Sequence, residues 1–139
     1  MSAMRGAAAY GRGASAYAKV GVESGVMSAS PHQLIVMLFD GALAAIRTAR
    51  IHLEDGNSAE KGKAISKALD IVNNGLLAAL DTERGGEIAE RLASLYDYVT
   101  RLLLSANLHN DIESLEQAET LLNDTASAWR DIGDEVARG

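Results

Sequence analysis

The chain contains no cysteine, so no disulfide framework holds it together, a feature that agrees with a reducing compartment without proving one. Proline occurs once, and aromatic residues are scarce: one Phe, one Trp and four Tyr. With few β-branched runs as well, the composition argues against sheets. Cations are outnumbered, 13 Lys and Arg against 19 Asp and Glu, for a net charge of -6. The 13 are scattered, which leaves no footprint for neutralising phosphates; nucleic acid and anionic membranes are not expected partners. No stretch approaches the ~20 apolar residues of a membrane span. The opening MSAMRGAAAYGRGASAYAKV carries Arg5 and Arg12 and no apolar h-region, so a soluble cytoplasmic protein without membrane insertion is expected.

What the chain does have is alanine and leucine. Apolar residues make up 47% of 139 positions, enough for one domain with a real core built of helices on helices. In the run SPHQLIVMLFDGALAAIRTARIHL, Ser30 is a strong N-cap, Pro31 suits the first helical position, and Gln33 stands where a capping box needs it. From there Leu34, Ile35, Leu38, Ala42, Ala45, Ile46, Ala49 and Leu53 form one stripe at helical spacing, and Val36, Phe39 and Leu43 widen it sideways.

Gly56 ends that helix, and Asn57 with Glu60 starts a second, whose stripe is Ile65, Ala68, Leu69, Val72, Leu76 and Ala79. The stretch DTERGG, residues 81 to 86, reads as a loop. A third helix spans about residues 87 to 108 and buries Ile88, Leu92, Leu95, Tyr96, Val99, Leu102, Leu103 and Ala106. A fourth is predicted from Asn110, with Glu113 completing the cap; its stripe is Leu115, Ala118, Leu121, Leu122, Thr125, Trp129, Ile132 and Val136. Short connections make consecutive helices antiparallel neighbours, so the predicted fold is all-α, an up-down-up-down four-helix bundle over residues 30–139. Residues 1–29 precede it. Glycines at 6, 11, 13, 21 and 25 resist an isolated helix there, and the apolar anchors Tyr10, Tyr17, Val20, Val22, Val26 and Met27 suit docking in a groove. A disordered tail is the other reading of this segment.

Chemistry has little foothold. His32, His52 and His109 lack the Glu-x-x-His partners of a di-iron bundle, and no nucleophile has an evident base, so no metal, cofactor or enzymatic activity is expected. His32 reads as a first-turn surface residue, and the pair Gly85-Gly86 as a turn rather than a phosphate loop. The lead is apolar surface beyond the core stripes: Val36, Phe39 and Leu43 on the first helix, Ile71 and Leu77 on the second, Tyr98 and Leu104 on the third. Such a surface suits a helical or extended client, whereas the alternatives are wider internal packing, a helical adaptor or a homodimerisation module. Asn107, beside Tyr96 and Leu103, either hydrogen-bonds a partner's backbone or caps the third helix.

Several segments in order, AYAKVGVESGVMSASPHQLIVMLFDGAL, KGKAISKALDIVNNGL, LYDYVTRLLLSANLHND and ASAWRDI, make the chain resemble the flagellin-specific export chaperones of the FliS family. Phe39 stands where the family's MLYDG pattern often has Tyr, and the Ala/Gly-rich extension before Tyr10 is longer than usual. The resemblance implies a cytosolic four-helix bundle that binds the disordered C-terminal segment of flagellin, blocks its premature polymerisation and keeps it exportable by the flagellar type III apparatus. An export-gate component is a further partner under this reading, and weak homodimerisation stays open. The resemblance also implies that the N-terminal segment, through Tyr10, Tyr17 and Val20, covers part of the binding surface in the free chaperone. Leu34, Ile35, Phe39, Ala42 and Leu43 are assigned to one client groove, with Tyr96, Leu103 and Asn107 contributing from the third helix.

Overall fold

The computed structural model describes the backbone over residues 29–138 and side chains through residue 133. Helix α1 spans Pro31–Glu54. Its start is the expected capping box: Ser30 Oγ accepts from the Gln33 amide at 3.1 Å, and Gln33 Oε1 accepts from the Ser30 amide at 2.8 Å. Its end is set by Gly56, whose φ of 73° turns the chain so that the Asn57 amide reaches the His52 carbonyl at 2.8 Å. Helix α2, Ser58–Asp70, opens with Asn57 Oδ1 accepting from the Glu60 amide at 3.3 Å.

Beyond Asp70 the helix widens into a π segment, Ile71–Leu77, which the helical periodicity did not predict. The Ala78 amide donates five residues back to the Asn73 carbonyl at 3.2 Å. Asn73 Nδ2 donates to the Leu69 carbonyl at 3.0 Å and to Thr100 Oγ1 at 3.1 Å, so its amide serves both the loosened turn and the neighbouring helix. The buried positions Ala68, Val72 and Leu76 recur every fourth residue, a step that suits a turn wider than 3.6 residues.

Helix α3, Thr82–His109, corrects the expected loop at residues 81 to 86. Asp81 Oδ1 accepts from the Arg84 amide at 3.0 Å and starts a helical turn, and the non-helical Gly86 (φ 51°, ψ -127°) kinks the chain before the long run begins. The cap expected at Asn110 is also corrected, by one residue. Asn110 ends α3 in the left-handed conformation, and Asp111 caps α4, Ile112–Arg138, accepting from the Glu113 amide at 3.1 Å and from Ser114 Oγ at 2.8 Å. These bonds favour the ionised carboxylate.

The four helices close a ring. α1 packs on α2 and α4, and α3 packs on α4, on the π segment and on α2. Successive pairings show the antiparallel sense: Arg130 with Asp40 and Glu119 with Arg47 retreat along α4 as they advance along α1. The predicted stripes form the core, with Ile35, Ile46, Ile65, Val72, Leu76, Val99, Leu115 and Leu122 fully buried. Ala42, Ala45, Ala49, Ala64 and Ala68 are buried on α1 and α2, where short side chains let the two helices approach closely.

Polar pins hold both ends. Lys61 is buried, and its ammonium donates to the Asn107 carbonyl at 3.0 Å and to Asn110 Oδ1, so a cation of α2 sits against the carbonyl end of α3. At the other end His32, expected on the surface, is half-buried. Its ring lies 4.7 Å from that of Trp129, whose Nε1 donates to the His32 carbonyl at 3.3 Å. A Cβ at Gly133 would fall 2.1 Å from His32 Nε2, so glycine is what admits the imidazole against α4.

Replacing Lys61 by Ala is expected to lower unfolding free energy by about 2 kcal/mol, because charge-assisted hydrogen bonds are lost and their acceptors stay sheltered. Urea unfolding of Lys61→Ala beside wild type measures this. The hydroxyl of Ser114, followed by the Ser114 and Glu113 amides and the charge of His109, holds the Asp111 carboxyl below its usual range against the opposing effect of burial. A lowered folded-state pKa adds stability above the unfolded-state value and loses it as pH falls through the folded one. The stability difference between wild type and Asp111→Asn should therefore shrink below about pH 4, as acid unfolding of the two proteins would record.

Candidate partner-binding surface

The residues assigned to a client groove are brought together, but inward. Leu34, Ile35, Ala42, Leu43 and Leu103 are buried, and Phe39, 1% exposed, faces Tyr96, 0% exposed, with ring centroids 6.3 Å apart and planes tilted by 54°. Asn107 is half-buried. Its carbonyl accepts from Lys61 and its side chain lies over Gly62, so it neither caps α3 nor stands open on a surface. The expected spare flank of α1 is thus corrected. Phe39 and Leu43 belong to the core, and Val36 packs half-buried against it, because α2, the π segment and α4 together cover more of α1 than one stripe. Ile71 and Leu77 are likewise half-buried. Tyr10, Tyr17 and Val20 lie outside the described residues.

Exposed apolar groups occur elsewhere. On α3, Leu104 and Leu108 sit one turn apart on the outer face, the latter 77% exposed, and Tyr98 leans toward α4, where its hydroxyl accepts from Gln117 Nε2 at 2.9 Å. Periodicity found Tyr98 and Leu104 but missed Leu108. On α1 the exposed pair is Met37 and Ile51. A furrow between α1 and α2 is lined by Ala44, Ala45, Thr48 and His52 on one side and by Glu60, Lys63, Ala64 and Lys67 on the other. One helical turn before it, Gly41 is closed over by the Ile71 side chain, which a Cβ at that position would meet at 3.3 Å.

On its other flank α1 carries Arg47 and Arg50, which pair with α4: Arg47 with Glu119 at 3.0 Å and Arg50 with Glu116 at 3.3 Å. These exposed pairs fix register more than they add stability. No helix among the described residues is long and apolar enough to cross a membrane.

The large exposed apolar side chains among the described residues thus lie on two helices of an antiparallel bundle, α1 and α3. The family model for the flagellar protein FliS matches residues 13–136. The chain is 56% identical to the flagellar secretion chaperone FliS of Salmonella typhimurium, over 90% of this chain and 93% of that protein. It is 47% identical to that of Escherichia coli, over 86% of this chain and 88% of the other, and 30% identical to that of Bacillus subtilis, over 78% and 79%. The chain belongs to the FliS family.

The buried placement of Phe39 makes Phe39→Asp a folding mutation: a carboxylate in the core should cost about 4 kcal/mol or more. Leu104→Asp, at an exposed position, should stay within about 0.5 kcal/mol of wild type. Urea unfolding followed by circular dichroism separates the two.

Proposed function

We propose that this chain is a cytoplasmic secretion chaperone that binds the disordered C-terminal segment of flagellin, prevents premature polymerisation and keeps the client competent for type III flagellar export. Family membership supports the general role, and the relatives carry the name of flagellar secretion chaperones. One geometric observation favours a flexible client over a globular one. The exposed apolar groups sit on α1 (Met37, Ile51) and on α3 (Leu104, Leu108), and these helices stand diagonally across the ring. A rigid partner can cover one side of a slender bundle, whereas a segment that folds as it binds can pass around it and cover both.

In this reading Leu34, Ile35, Phe39, Ala42, Leu43, Tyr96 and Leu103 support the binding strips from beneath, and Asn107 stands at their edge on α3. Burial of several client side chains, each contributing about 1.5 to 3 kcal/mol, offsets an ordering cost of roughly 2 to 5 kcal/mol. The segment carrying Tyr10, Tyr17 and Val20 acts as an internal competitor for the same strips. An export-gate component that reads the loaded chaperone completes the route.

Calorimetric titration with intact flagellin should show binding, and flagellin lacking its C-terminal segment should show none; equal binding of both would overturn the assignment. Deleting residues 1–20 should accelerate client association, and slower association would remove the competitor role.

A further inference from the structure

Seven residues, Ile71–Leu77, leave α geometry within a helix that continues on both sides of them. The Ile71 amide reaches back four residues to the Lys67 carbonyl, and the Ala79 amide reaches Gly75 by the same step at 3.1 Å, whereas the Ala78 amide between them reaches five residues, to Asn73. The segment therefore holds one residue more than an α-helix of equal span. Hydrophobic burial does not select this arrangement. Ile65, Ala68, Val72, Leu76 and Ala79, all buried, recur at steps of three and four, which is the spacing of one face of an uninterrupted α-helix. What selects the wide turn is polar. Asn73 Nδ2 donates to the Leu69 carbonyl at 3.0 Å and to Thr100 Oγ1 at 3.1 Å, which ties the segment to α3, and Asn74 Nδ2 donates to Asp70 Oδ1 at 2.7 Å.

Beyond the segment the chain has a joint. Gly86 (φ 51°, ψ -127°) holds a conformation open to glycine, and a Cβ there would meet nothing within 4 Å, so the backbone has room to turn between the short helical stretch from Thr82 and the long run of α3. We propose that Ile71–Leu77 is a register switch, held in the π form by Asn73 and Thr100 and able to pass to a continuous α-helix. In that passage the surplus residue is taken into the helix. Residues 78–85 then advance by about 1.5 Å and turn by about 100° around the helix axis, and Gly86 absorbs the change before α3 continues. Leu77 and Leu80, half-buried in the π form, are carried along, so this end of the bundle has two surfaces. A partner that prefers one of them selects the register. The switch belongs to the free chain and does not depend on the identity of the client.

Relaxation dispersion of the backbone amides of the full chain reads such motion on the microsecond to millisecond scale. The wild type should show one exchange process spanning residues 71–86. Asn73→Ala and Thr100→Val release the tie from its two sides, and each should raise the minor population about fivefold or more. Deleting Asn74, an exposed position, removes the surplus residue and should abolish exchange in this segment while leaving residues 58–70 and 112–133 as in the wild type. Flat profiles over residues 71–86 in the wild type and in both release variants overturn the switch. Exchange that persists after the deletion also overturns it, because fraying needs no surplus residue. A deletion variant that fails to fold while Asn73→Ala folds does the same, because the residue is then not surplus.

Discussion

The contact of Phe39 with Tyr96 joins two helices that face each other across the ring, and the spacing of the bundle depends on it. The chain has one phenylalanine, and Tyr96 is a fully buried tyrosine, so these rings supply much of the bulk at the centre. Ala42, Ala45, Ala49, Ala64 and Ala68 are core positions of α1 and α2 that fill little space but allow close approach. A large pair at the middle and small residues beside it define how far apart the helices stand. Every furrow on the outside inherits its width from that arrangement.

The ends of the bundle are held by different means. Where the core runs out, Lys61 reaches the carbonyl end of α3, and Trp129 with His32 ties the far part of α4 to the first turn of α1. Each pin uses a polar side chain, Lys61 at one end and His32 at the other, that helical periodicity left out of the core stripes. Their work is to keep helices aligned that short connections would otherwise allow to splay. The π segment has a related effect, because the extra width of its turns keeps Val72 and Leu76 on the core while Asn73 bonds across to Thr100.

These features hold four helices in register with exposed apolar side chains on α1 and α3. The strips are separated from the core by one helical face only. Alanine is the residue that serves both sides, buried at position 45 and open at position 44, so the furrow is an outcome of how α1 shares its circumference among its neighbours.

Much of the fold was legible in the sequence. Ser30, Asn57 and Gly56 mark boundaries through local hydrogen bonding and backbone freedom, and the stripes running through Leu76, Ala106 and Leu122 follow from helical periodicity acting on burial. These are local effects, so one sequence suffices to read them. The cap at Asp111, the turn at residues 82 to 85 and the π segment were missed, because neighbouring Asn and Asp compete for the same amides and because a wide turn is paid for by contacts with other helices. The candidate site was least legible. Periodicity says that α1 has more apolar surface than one stripe, but it cannot say whether Phe39 or Met37 is the surplus. Only the tertiary structure decides that, because exposure depends on which neighbours pack against each side of the helix, and three of them close over Phe39 and Leu43 while leaving Met37 and Ile51 uncovered.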